Sequence, residues 1–350
     1  MLFYDEADFD QSKFNIDARL YAPTYKYYYE QYHYLLDKLV TLCRRRYLLN
    51  ATARGTLFLA RHAIELLLKS NITDIRLTHN IDQLLSELGI DTNSILYSNI
   101  NLDFNSEGDS LKYYFDSSGT RFLNSDTKVD LTKILVEYNE ALTELQYFKK
   151  IDVANNYSRA EVCNLTFCLN ETKNDNHIAH EYEQLVDRIF RFVSTGQINI
   201  NQCFLPVYFL IRHSIEISLK SLIREAREFS DAVKKKKIDL EHSLVGLLNV
   251  YSDYLDKTDA AALSNVLQDQ LHDYRMKAEE FIDVLHELDS DSMRFRFPTD
   301  QNNTPYQLNI SKYLFWDLLI ILKDINVFLK FTNHVLAESN AHVNQKDVEC

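Results

Sequence analysis

"LFLARHAIELLLKSNI", residues 57–72, is a helix-length apolar run interrupted by Arg61, His62, Glu65 and Lys69. The same four residue types return 151 residues later in "YFLIRHSIEISLKSLI", residues 208–223, as Arg212, His213, Glu216 and Lys220. Ten of the sixteen aligned positions are identical. On an α-helix, positions i, i+4 and i+8 share one side. Arg61, Glu65 and Lys69 therefore form a ladder, as do Arg212, Glu216 and Lys220, and each His sits three residues before its Glu. The rest of each run is apolar, so little of either helix can face water. A half-buried carboxylate is costly unless it is paired and hydrogen-bonded.

Working outward, the likeness between the two regions continues in order. "THNIDQLLSEL", 78–88, answers to "EHSLVGLLNVY", 241–251, with His79 matching His242. "GDSLKYYFDSSG", 108–119, answers to "SDSMRFRFPTDQ", 290–301, and each region closes on a long amphipathic segment, 130–148 and 310–331. A long helical segment also precedes each run. This order predicts a duplicated helical unit, with copy one at 15–150, a polar linker at 151–177 and copy two at 178–336. Residues 259–288 have helical periodicity and little counterpart in copy one, so they are an insertion. Past 337 the tail is expected to fray.

Composition agrees with an all-α chain. Among 350 residues there are only 6 Gly and 4 Pro, too few breakers for a loop-rich or β-rich architecture. The 46% hydrophobic and 25% charged residues are ordinary for a water-exposed globular protein. A net charge of −13 argues against a general nucleic-acid coat. The basic runs Arg44–Arg46 and Lys234–Lys237 read as solvated surface or as local phosphate contacts. The acidic start lacks a secretory signal, and 313–322, the most apolar late segment, carries Asp317, so no membrane association is expected. Five Cys without a framework spacing suit a reducing cytoplasm.

Two readings of the charged helix stand side by side. In one, Arg and Lys neutralise Glu, and His bonds a backbone group, giving a satisfied polar seam. In the other, the seam is a pocket. His62 and His213 would then be the acid/base pair, oriented by Glu65 and Glu216. Arg61, Lys69, Arg212 and Lys220 would hold phosphate. His79 and His242, at the starts of the next helices, would complete the pocket. Arg294 and Arg296, with Asp291, would join if their loop folds back over it.

The order "RH..E..LK", then "H.L..L", then "DS..FRFP" resembles the HEPN-type helical domains, over about four-fifths of the chain. The resemblance implies two tandem HEPN-like bundles, the second with a helical insertion. It also implies a paired arrangement of bundles, and action on or binding to RNA. Many such domains are metal-independent endoribonucleases of phage-defence or toxin–antitoxin systems, needing no cofactor. Their usual motif, Arg and His separated by four to six residues, does not occur here; Arg54 and His62 have seven residues between them. The alternative is a non-catalytic interaction or regulatory subunit that keeps the fold and partners another effector, or a homodimer. Cys163, Cys168, His177 and His180 have zinc-ligand types but not a finger spacing, so no metal is assigned. No Gly-rich phosphate loop and no G-x-S-x-G element is present, which argues against nucleotide-driven and serine-hydrolase chemistry.

Overall fold

The computed structural model describes residues 10–43, 51–72, 78–90, 109–113, 128–145, 166–168, 175–227, 238, 241–255, 265–290, 292–308 and 315–346. The fold is all-α. Copy one contributes α1 (Tyr25–Leu42), α2 (Ala53–Ser70), α3 (Ile81–Glu87), the short α4 (Asp109–Lys112) and α5 (Leu131–Glu144). Copy two contributes α6 (Asp175–Ser194), α7 (Phe204–Arg227), α8 (Leu244–Leu255), α9 (Asn265–Leu288) and α10 (Phe315–Lys346). The described residues also include a two-stranded antiparallel ribbon, β1 (Lys128–Asp130) with β2 (Thr166–Cys168), and three short 3-10 turns, Gln11–Phe14, Ala18–Leu20 and Ile200–Gln202. α9 lies within residues 259–288, the segment read from sequence as an insertion, and α10 continues as helix past 337 through Lys346.

Local signals set the helix ends. The Thr24 hydroxyl accepts from the Tyr27 amide to open α1, and the Asn80 side chain accepts from the Asp82 and Gln83 amides to open α3. Gly89 and Gly196 adopt positive φ just past α3 and α6, where a side chain would be strained.

The core gathers around two pairs, α1 with α2 and α6 with α7, and the pairs then cross-pack, α1 against α7 and α2 against α6. This reciprocity is what a two-fold relation between equivalent units produces. At its centre Phe58 of α2 stacks on its counterpart Phe209 of α7, ring centroids 4.7 Å apart. The chain start crosses over as well. Phe14 packs against Phe190 and Trp316, and the Lys13 Nζ donates to the Ser194 carbonyl at 2.9 Å. Cys43 and Cys203 are buried free thiols. Among the described residues, no helix is long and apolar enough to cross a membrane.

Candidate functional site

Each charged helix closes its ladder on one buried carboxylate. Glu65 has no exposed surface. It accepts from Arg61 Nη1 at 3.1 Å, Lys69 Nζ at 2.9 Å and His79 Nδ1 at 2.8 Å. The Arg61 Nη2 also donates to the His79 carbonyl, tying the next helix to the ladder. In copy two, Glu216 accepts from Arg212 Nη1, Lys220 Nζ and His242 Nδ1, each at 2.9 Å. The Arg212 Nη2 donates to the His242 carbonyl, and its Nε to the Asp289 carbonyl. Burial alone pushes both carboxyls up, but the lysines and histidines around them outweigh it and hold both well below the usual carboxylate range.

His62 and His213 are also fully buried. Each ring stacks on a phenylalanine of its own helix, Phe58 at 5.4 Å and Phe209 at 5.2 Å. Each also meets a tyrosine edge, Tyr32 at 4.7 Å and Tyr182 at 4.9 Å. Burial lowers both histidines to about 4, with the neighbouring Glu offsetting only part of it, so the rings are neutral at pH 7. A neutral ring whose Nε2 faces a carbonyl carries its proton there. His62 Nε2 faces the Arg296 carbonyl at 3.0 Å, and His213 Nε2 faces the Lys112 carbonyl at 3.3 Å.

Those carbonyls come from the opposite copies. The segment 294–297 of copy two closes over the seam of copy one. Tyr28 and Tyr32 of α1 donate to the Arg294 and Phe295 carbonyls. The Phe297 ring covers His62, His79 and the Lys69 ammonium, the last at 4.4 Å. In return, residues 111–113 of copy one close the seam of copy two. Tyr182 of α6 donates to the Leu111 carbonyl. The Tyr113 ring covers His213 and His242, and lies 4.6 Å from the Lys220 ammonium. The exchange also corrects the pairing read from sequence. Equivalent contacts match Lys112 and Tyr113 to Arg296 and Phe297, two residues beyond the alignment of the Asp-Ser elements. One difference between the seams is a hydroxyl. That of Tyr113 donates to Glu216 at 2.9 Å, where Phe297 has none.

The structure therefore brings Arg61, His62, Glu65, Lys69 and His79 together, and likewise Arg212, His213, Glu216, Lys220 and His242. Of these, His79 and His242 reach solvent, with side chains 35% and 42% exposed. Arg294 is placed apart; its Nη1 donates to the Glu287 carbonyl and its guanidinium lies over Tyr306. Arg296 reaches the centre of the molecule, beside Phe58 and Phe209. Asp291, Cys163 and the basic runs at 44–46 and 234–237 lie outside the described residues. His177 and His180 are exposed on the first turns of α6, and among the described residues no cluster of three metal-ligating side chains occurs.

Sequence reasoning missed Tyr32, Tyr182, Tyr113, Phe297 and Lys112. A signal for the first two exists. "YHYLLDKLV", 32–40, and "YEQLVDRIF", 182–190, share Tyr, Leu and Asp at the same spacing. A separate cavity of about 430 Å³ lies between α6 and α10, lined by His180, Leu322, Val327, Lys330 and Phe331 among others. Compared with known proteins, the chain matches no protein-family model, no curated protein and no solved structure.

Proposed function

We propose that the chain is a HEPN-like protein whose two tandem bundles form a non-catalytic interaction subunit, partnering an effector in the cytoplasm. One observation carries this reading. The histidines best suited to acid/base work are fully buried, neutral and face backbone carbonyls, and the flanking cations converge on Glu65 and Glu216. A general acid or base must reach the proton it moves, and a cation held by a buried carboxylate is poorly placed for substrate phosphate. The duplicated seam then serves to hold the two bundles in fixed register, leaving the outer surface for a partner.

The RNA-acting reading, a metal-independent endoribonuclease of a defence or toxin-like system, rests on His79 and His242. These two are half-exposed beside their carboxylates. The discriminating experiment incubates wild type and His242→Ala with structured RNAs without added metal. The interaction-subunit reading expects no cleavage by either protein. It also expects a complex of fixed stoichiometry, by light scattering, with a protein encoded beside this chain. Cleavage by wild type that His242→Ala abolishes overturns it.

A further inference from the structure

One aromatic ring of the chain start already sits between α6 and α10. Phe14, fully buried, stacks on Phe190 of α6 at 5.7 Å and meets the edge of Trp316 of α10 at 5.3 Å. The cavity of about 430 Å³ lies farther along the same two helices. On α6 it begins at Asp187, about one turn before Phe190, and on α10 at Leu322, about two turns past Trp316. A volume of this size is that of a binding pocket.

The groove joins an apolar floor to a basic rim. Leu322, Val327 and Phe331 form the floor, and the Phe331 ring is braced edge-on by Tyr274 of α9 at 5.3 Å. Lys323 and Lys330 stand on the α10 side. Lys330 is half-exposed, and its Nζ lies 3.5 Å from Glu183 Oε2, a carboxylate that His180 also faces at 3.7 Å. Among the described residues, no carboxylate lies within ion-pair distance of Lys323. The other acidic side chain of the groove, Asp187, pairs with Arg191 at 3.0 Å. The carboxylates are thus already engaged, and the rim offers positive charge to an incoming segment.

We propose that this groove is the docking site of the chain's own start, "MLFYDEADF", residues 1–9. The segment lies outside the described residues and leads directly into Asp10, four residues before Phe14. It carries three aromatic rings, Phe3, Tyr4 and Phe9, three carboxylates, Asp5, Glu6 and Asp8, and no Lys or Arg. Aromatic side chains are the usual anchors in an apolar pocket, and the carboxylates complement Lys323 and Lys330. Nine extended residues span about 30 Å, and the groove from Leu322 to His334 runs about 18 Å along α10, so the reach suffices. A segment tethered this closely meets its groove at an effective concentration of roughly millimolar, so weak contacts are enough to seat it. The proposal goes beyond the interaction-subunit reading and does not depend on it.

The test compares the full wild-type chain with a full-length triple variant, Phe3→Ser, Tyr4→Ser and Phe9→Ser. Lysine acetylation by an N-hydroxysuccinimide ester is followed by mass spectrometry, with the exposed Lys26 as reference. The triple variant is expected to raise the rates at Lys323 and Lys330 by about fivefold or more and to leave Lys26 unchanged. Calorimetry with a synthetic MLFYDEADF peptide gives a second readout. The peptide is expected to bind the triple variant, and to bind wild type at least about tenfold more weakly, because the tethered segment competes. Val327→Asp added to the triple variant is expected to abolish peptide binding. Equal acetylation of wild type and triple variant overturns the proposal, as does a triple variant that fails to bind the peptide or binds it undiminished with Val327→Asp. Lysine protection that fades on dilution assigns the groove to a second copy of the chain and overturns it as well.

Discussion

Glu65 and Glu216 remain ionised without any exposed surface because an arginine, a lysine and a histidine converge on each. The histidines beneath them behave oppositely, and this fixes the direction of the acid response. His62 and His213 have an ordinary value of 6.5 and folded values of about 4. Between those values the unfolded chain binds protons that the folded rings refuse. Stability therefore falls as pH drops from about 6.5 towards 4, by about 3 kcal/mol for each ring across the window. The lowered glutamates act later. Their contribution is complete above their ordinary 4.5 and is lost as pH falls through their lower folded values. Urea midpoints measured between neutral pH and pH 5 should thus decline well before carboxylates titrate. His213→Gln, which keeps a donor for the Lys112 carbonyl, should halve the slope. A flat profile down to pH 5 would mean that the rings are not neutral in the fold.

At the scale of elements, the exchanged segments are anchored by tyrosine hydroxyls aimed at backbone carbonyls. Tyr32 donates to Phe295 at 3.0 Å, and Tyr182 to Leu111 at 3.2 Å. Replacing either Tyr by Phe strands a buried carbonyl, so Tyr32→Phe and Tyr182→Phe should each cost about 1–3 kcal/mol in urea unfolding. Tyr34→Phe removes a hydroxyl that accepts from the exposed Asn199 amide and should change stability by less than about 0.5 kcal/mol. Equal effects at all three positions would refute this account of the anchors. The helices themselves were legible in sequence, because apolar period, scarcity of Gly and Pro, and the repeated Arg-His-Glu-Lys ladder are properties of a single segment. The ladder also revealed its own pairing, since i and i+4 must meet on a helix. The crossing was not legible. Periodicity states which face of a segment is buried and says nothing about which copy buries it. The two-residue offset between Lys112 and Arg296 was hidden for a related reason. The Asp-Ser pairs align in sequence, while the contacts are made by the carbonyl and ring that follow.

Across the whole molecule, the exchange decides how the chain comes apart. Two bundles joined by a linker would ordinarily unfold independently when their interface is small and polar. Here each bundle lacks the piece that closes its own seam, so opening either one exposes a buried carboxylate, its cations and a neutral histidine in the other. The chain start adds a further tie. The lone tryptophan, Trp316 of α10, packs edge-on against Phe14 at 5.3 Å, and the Asn201 side chain accepts from the Asp17 amide at 2.7 Å. These ties predict one cooperative transition for the described core. Far-UV circular dichroism reports the helices of both copies, and Trp316 fluorescence reports the contact between the chain start and copy two. The two urea curves should superimpose, with a slope large enough for the surface buried by both bundles together. Phe14→Ala should shift both curves equally, because it weakens a contact that belongs to the single unit. A fluorescence transition that precedes loss of helix, or a Phe14→Ala shift confined to the fluorescence curve, would show that copy two unfolds on its own.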